Sequence, residues 1–171
     1  MPLAHRAAPR STLLGVRGRS TEEGVARWFR RFEGLTFDQQ DIRDEAEAFA
    51  AFVEGAISAY RLDPARLTFI GHSNGANFLA AVMLLQPHIV SRAALLRPMP
   101  ILTDLPQVDL GEGHVLVVAG RDDPFAPHAP ELATLLQARG AQVTMLDVGA
   151  GHDASLDDVR LIRTWLAAII E

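Results

Sequence analysis

Short apolar runs alternate with longer segments of helical periodicity along this chain. The clearest run is residues 115–119, a valine-rich stretch typical of a strand that is covered on both faces. Four other short apolar runs predict strands, at residues 13–16, 67–70, 93–96 and 142–148. Apolar residues at helical spacing predict four helices, at residues 39–61, 77–85, 130–139 and 156–169. Strands alternating with helices predict an α/β fold, a mostly parallel sheet with helices on both faces.

Local signals support several of these boundaries. Asp38 is placed to cap the first long helix, and Gly140 follows the third predicted helix at the position where glycine often ends one. Ser155 and Asp158, three residues apart, resemble a capping box at the start of the last helix. Residues 17–37 have no clean period and predict a long ordered loop with aromatic anchors. A length of 171 residues predicts one domain over residues 1–171.

Residues 71–75 read Gly-His-Ser-Asn-Gly, a G-x-S-x-G sequence between a predicted strand and a helix. In this context the serine sits on a strained strand-to-helix turn that exposes its hydroxyl above the sheet, and flanking glycines let the backbones approach. Ser73 is therefore the candidate nucleophile. The same turn directs the N–H of Asn74, at a helix N-terminus, towards the oxyanion that forms on attack.

A serine nucleophile needs a base, and the base needs an acid that orients it. His152 is the best of six histidines because it follows the strand at 142–148, at the sheet edge where α/β proteins keep their sites. His128, in a proline-rich loop, is the second candidate. Two adjacent aspartates follow the strand at 115–119, and Asp123 is preferred over Asp122 because the proline after it fixes the loop. The order Ser73, Asp123, His152 is that of α/β-hydrolases.

The composition excludes several other classes of protein. The chain has no cysteine and a formal net charge of -5, which argues against disulfides, thiolate metal sites and a nucleic-acid partner. No apolar run reaches the ~18 residues of a membrane span, and the first ten residues lack the apolar centre of a secretory signal. No histidine spacing suggests a metal site. We therefore expect a cytoplasmic protein without metal or cofactor that acts on a small molecule.

Three segments resemble the phospholipase/carboxylesterase family of α/β-hydrolases, which includes acyl-protein thioesterases. They are residues 71–77, residues 17–32 with their Arg-Trp-Phe-Arg-Arg-Phe end, and Gly-Arg-Asp-Asp-Pro at 120–124. The resemblance covers the chain from about residue 13 onwards and is strongest to a bacterial branch of small esterases linked to hydroquinone stress. It implies a triad of Ser73, Asp123 and His152. It also implies that Trp28 and Phe29 lie near an acyl pocket, although both residues equally suit a core cluster that anchors the loop.

The sequence therefore predicts a serine hydrolase that cleaves carboxylic esters, or thioesters, of small to medium acyl groups through an acyl-enzyme. The alternative is a catalytically weak or inactive α/β-hydrolase relic that binds a partner or a small molecule in the same cleft.

The N-terminal residues motivate this alternative. In the family it resembles, a strand upstream of residues 13–18 ends in a His-Gly turn that supplies a second oxyanion donor, and residues 1–6 do not provide one. We therefore expect an α/β-hydrolase fold that lacks its N-terminal strands, with activity lowered about 10²–10³-fold. Residues 13–16 would then pair directly with the nucleophile strand, or a homodimer would supply a strand from its other subunit.

Overall fold

A parallel sheet flanked by helices organises the chain. The computed structural model describes residues 2–22, 24–111 and 113–169. The strands are β1 Ser20–Glu22, β2 Val25–Arg27, β3 Phe69–His72, β4 Arg92–Leu96, β5 His114–Gly120 and β6 Gln142–Val148. The helices are α1 Pro2–Ala7, α2 Gln39–Tyr60, α3 Asn74–Leu85, α4 His128–Ala138 and α5 Leu156–Ile169, with a short 3₁₀ helix at Pro64–Arg66.

The main sheet has four parallel strands in the order β3-β4-β5-β6. The register pairs His72 with Leu96, and Leu96 with Val118. Gly120, at the end of β5, pairs with Val148, at the end of β6. The carboxyl ends of all four strands therefore meet at one edge, where the loops that follow them converge.

Each face of the sheet is covered by its own group of helices. Alternate side chains of β5 point to opposite faces, as the pleat of a strand requires. Val115 and Val117 belong to the same core cluster as residues of α2, α3 and α4, whereas Leu116 and Val118 belong to a second cluster with residues of α1 and α5. This architecture confirms the predicted α/β fold with helices on both faces. Among the described helices, none is both long and apolar enough to cross a membrane.

The predicted helix boundaries are largely confirmed. The carboxylate of Asp38 accepts hydrogen bonds from the N–H groups of Gln40 and Asp41 at the start of α2. Ser155, just before α5, and Asp158, in its first turn, bond each other reciprocally, as a capping box does. Gly140 adopts φ +94 just after α4, the left-handed conformation that favours glycine at a helix end.

The segment before α2 differs from the prediction. Residues 13–16 form no strand and do not pair with β3, and Leu14 is 54% exposed because none of the described strands lies beside this apolar run. The predicted loop at 17–37 contains an antiparallel hairpin of β1 and β2, with Gly24 at φ +77 in its turn. Helix α1 was not predicted, and it packs against α5.

Candidate active site

Ser73 occupies a strained turn between β3 and α3. Its backbone has φ 51 and ψ -119, a conformation that costs a non-glycine residue about 1–3 kcal/mol. Its N–H donates to the carbonyl oxygen of Leu96 at 2.8 Å, which holds the turn against β4. A Cβ atom on Gly71 would lie 2.6 Å from the carbonyl oxygen of Gly75, so the turn requires glycine at position 71.

The Ser73 hydroxyl begins a chain of hydrogen bonds along the carboxyl edge of the sheet. His152 Nε2 lies 2.8 Å from Ser73 Oγ, and His152 Nδ1 lies 2.9 Å from Asp123 Oδ2. The other oxygen of Asp123 accepts from the N–H of Phe125 at 2.9 Å. Because an ionised carboxylate can only accept, Nδ1 carries the proton, and Nε2 is left to accept from the serine hydroxyl. In this arrangement Nε2 can accept the proton of the serine hydroxyl while the carboxylate of Asp123 holds the Nδ1–H.

The structure distinguishes between the two adjacent aspartates. Asp123 is buried, with a side chain only 1% exposed, and it faces His152. Asp122 is exposed, and its backbone N–H donates to the carbonyl oxygen of Ala150 at 3.1 Å. His128 lies at the start of α4, whereas His152 is the histidine whose ring reaches Ser73.

Asn74 is the first residue of α3, so its N–H lies at the positive end of that helix, beside Ser73. The side-chain oxygen of Asn74 accepts from the backbone N–H of Trp28 at 2.9 Å. The aromatic segment after β2 is thereby attached to the turn that bears the serine.

The two predicted pocket aromatics have different positions. Trp28 stacks on Phe78 with ring centroids 4.6 Å apart, and it packs in the core rather than on the wall of the cleft. Phe29 is 1% exposed and does line the cleft. Of the two side chains, only that of Phe29 lines the cleft, whereas Trp28 meets the serine turn from the core side through its backbone N–H.

A cleft of about 140 Å³ opens beside Ser73, Asn74 and His152. Its apolar lining consists of Phe29, Leu35, Phe37, Met99 and Phe125. Three arginines, Arg27, Arg31 and Arg97, also line it, and the side chain of Arg97 is fully buried against Asp158. The combination of a small apolar wall with a few polar groups is typical of a small-molecule site.

Two residues at this site were not identified from the sequence. His72 donates its Nε2–H to the carbonyl oxygen of His152 at 2.7 Å, because the carbonyl can only accept and this nitrogen therefore bears the proton. Arg97 follows β4 and is buried against Asp158, with Nη1 2.8 Å from Oδ1. His72 stands at a variable position of the G-x-S-x-G motif, and Arg97 belongs to no recognisable motif. Each reaches the loop around His152 from a distant part of the chain.

Comparisons with known proteins identify the family. No protein-family model matches the sequence. The crystal structure of a carboxylesterase from Mesorhizobium loti superimposes with a TM-score of 0.94 at 44% identity, covering 97% of this chain and 80% of that one. The chain belongs to the phospholipase/carboxylesterase family of α/β-hydrolases. The resemblance inferred from the motifs is thereby confirmed, and the chain is an enzyme of this family.

Two further relatives agree with this membership of the phospholipase/carboxylesterase family. A carboxylesterase from Bacillus cereus has a TM-score of 0.93 at 29% identity, over 98% of this chain and 80% of that chain. The Bacillus subtilis strain 168 protein named "Putative hydrolase MhqD" is 28% identical over 159 residues, covering 92% of this chain and 80% of the relative.

Proposed function

We propose that this enzyme hydrolyses carboxylic esters, or thioesters, of small to medium acyl groups through a covalent acyl-enzyme on Ser73. The observation that carries the proposal is the continuous hydrogen-bonded chain from Ser73 through His152 to Asp123, with contacts of 2.8 and 2.9 Å. The strained turn at Ser73 supports it, because strain of this kind is characteristic of a nucleophile held ready above a sheet.

The reaction has two steps. His152 Nε2 takes the proton of Ser73, and Oγ attacks the carbonyl carbon of the substrate to form a tetrahedral oxyanion that faces the N–H of Asn74. The oxyanion collapses, the alcohol or thiol leaves with the proton from His152, and the acyl group stays on Oγ. Water then attacks the acyl-enzyme with His152 again as base, which releases the acid and restores the serine. Asp123 holds the imidazole in the tautomer that both steps need.

The size of the cleft supports the choice of small acyl groups. Cavities that hold drug-sized ligands are roughly 300–1,000 Å³, whereas the cleft beside Ser73 is about 140 Å³. Its apolar wall, formed by residues such as Phe29 and Met99, suits a short hydrocarbon chain.

Hydrolysis of p-nitrophenyl acetate, butyrate and octanoate tests the proposal, with a butyryl thioester assayed beside them. Ser73→Ala should lower kcat by about 10⁴-fold or more and should abolish covalent labelling by a fluorophosphonate. Ser58→Ala is the matched control, because Ser58 is exposed on α2 away from the cleft. Labelling that persists in Ser73→Ala would overturn the assignment of the nucleophile. A protein that labels at Ser73 but hydrolyses none of these esters would instead favour the catalytically inactive binding protein.

A further inference from the structure

The loop that bears His152 is held through its backbone carbonyl groups. Four consecutive carbonyl oxygens each accept a hydrogen bond from another part of the chain. The Ala150 oxygen accepts from the N–H of Asp122 at 3.1 Å, and the His152 oxygen accepts from His72 Nε2 at 2.7 Å. The two remaining oxygens, those of residues 151 and 153, both accept from Arg97.

Arg97 therefore binds the backbone on both sides of His152. Its Nε donates to the Gly151 oxygen at 2.9 Å, and its Nη2 donates to the Asp153 oxygen at 3.2 Å. The guanidinium also forms a forked pair with Asp158, at 2.8 and 3.1 Å. Both side chains of this pair are fully buried. One planar cation thus joins the end of β4, the loop around His152 and the start of α5.

The backbone at Arg97 is also unusual. Its φ of 53 lies in the left-handed region that L side chains rarely adopt, and its N–H donates to the carbonyl oxygen of Val118 at 2.8 Å. Strain of this kind persists where the surrounding contacts fix it, and such positions cluster at functional sites. A Cβ atom on Gly120 would lie 2.8 Å from Arg97 Nε, so the neighbouring strand end also leaves space for the guanidinium.

We propose that Arg97, with Asp158 as its counter-ion, is a positioning residue that sets the placement of the His152 ring for proton transfer. This inference rests on the proposed function of Ser73 and His152. Arg97 borders the cleft, but its side chain is fully buried against Asp158, so it acts through the backbone of the loop and not on the substrate. Loss of its donors therefore affects kcat while KM is retained.

Lysine cannot replace the guanidinium in this role. The bonds to residues 151, 153 and 158 diverge from three nitrogens of one rigid plane, whereas an ammonium is a point charge on a flexible stem. Arg97→Lys keeps a positive charge opposite Asp158 but loses the simultaneous hold on both carbonyl groups. This substitution is therefore informative, because it removes the geometry of the hydrogen bonds and retains the positive charge.

The test compares Arg97→Lys with Ile162→Ala, which weakens the packing of the same α5 helix from a fully buried position beyond the loop. Both variants are assayed with p-nitrophenyl butyrate at a temperature where circular dichroism shows them folded. Arg97→Lys should lower kcat by about 10²-fold, the typical cost of a misplaced catalytic group, with KM changed less than about twofold. Ile162→Ala should retain kcat. Equal losses of kcat in both variants, or an unchanged kcat in Arg97→Lys, would overturn the proposal.

Proton NMR gives a readout that does not depend on turnover. The Nδ1–H of His152, bonded to Asp123, should give a low-field resonance in the native protein that broadens or disappears in Arg97→Lys and persists in Ile162→Ala.

If native enzyme neither labels at Ser73 nor hydrolyses esters, the proposed function fails, and this resonance still decides whether Arg97 positions the ring. Should Arg97→Lys fail to fold, the double variant Arg97→Met with Asp158→Asn removes both charges together and serves in the same comparison. A resonance that is unchanged in the folded variant would overturn the positioning role.

Discussion

Asp122 and Asp123 are chemically identical neighbours in very different surroundings. Asp123 is buried beneath His152 and uses both carboxylate oxygens, one towards the imidazole and one towards the N–H of Phe125. The side chain of Asp122 is exposed, and its contact with the loop around His152 is made by its backbone. An amide substitution should therefore have very different consequences at the two positions.

We expect Asp123→Asn to lower kcat by about 10⁴-fold, because an amide in this position favours the wrong tautomer of the imidazole. Asp122→Asn is the matched control and should stay within about tenfold of native, since its side chain does not face the ring. The measurement is kcat and KM for p-nitrophenyl butyrate. The reverse ranking would reassign the orienting acid to Asp122.

The sequence is informative about some residues of the site and silent about others. Ser73, Asp123 and His152 can be singled out because each follows a predicted strand at the same edge of the sheet. His72 and Arg97 cannot, because their partners lie 80 and 54 positions away and no local pattern encodes such contacts. The position of the Trp28 side chain likewise depends on a residue distant in sequence, because its ring stacks on Phe78 in α3.

The turn between β3 and α3 places different demands on its two glycines. A Cβ atom at position 71 would lie within 2.7 Å of the backbone of residues 75 and 76, which cannot move without disturbing α3. A Cβ atom at position 75 would meet only the side chain of Trp28, at 3.4 Å, an ordinary contact distance. The second glycine of the motif therefore has more room than the first.

Gly71→Ala should destabilise the protein by about 1–3 kcal/mol, the usual cost of forcing extra volume into a packed position, and should lower kcat because the Ser73 turn must shift. Gly75→Ala should cost much less in stability, since alanine also favours the helix in which residue 75 lies. Urea unfolding and ester hydrolysis of both variants measure these effects. Equal tolerance at the two positions would contradict the steric argument.

Among the elements, local signals predict better than non-local ones. The cap at Asp38, the box at Ser155 and the glycine after α4 depend on residues within a few positions, and all are present in the structure. The apolar run at 13–16 has a strand-like composition, yet a strand requires a paired neighbour and this run has none in the described structure. The β1–β2 hairpin was missed because its three-residue strands are too short to show a period.

At the scale of the whole molecule, one buried ion pair links parts of the chain that are distant in sequence. Asp158 receives bonds from Arg97 after β4 and from Ser155 at the start of α5. Burial opposes ionisation of this carboxyl, but the hydrogen bonds from Arg97 and Ser155 outweigh burial and hold the pKa of Asp158 below its usual value. The pair therefore makes the stability of the fold depend on pH.

The direction of this dependence follows from proton binding. Because the folded pKa of Asp158 lies below the ordinary value of 3.8, the unfolded chain binds more protons than the folded one as the pH falls through this range. The stabilisation is complete above about pH 5 and is lost as the pH falls through the folded pKa. Asp158→Asn has no carboxyl to titrate, so its free energy of unfolding should fall less steeply on acidification.

Urea unfolding of native protein and of Asp158→Asn, at several pH values from neutral to acidic, measures this slope. At neutral pH the variant should lose about 3–5 kcal/mol, the usual cost of leaving one buried charge without its partner. Asp157→Asn is the matched control, because that carboxylate is 54% exposed and pairs with Arg160 at the surface. When Asp158 becomes an amide, Arg97 keeps its bonds to the carbonyl groups around His152. The variant should therefore lose much of its stability while its kcat changes little. Identical pH slopes in native protein and Asp158→Asn would show that the buried pair does not couple folding to pH.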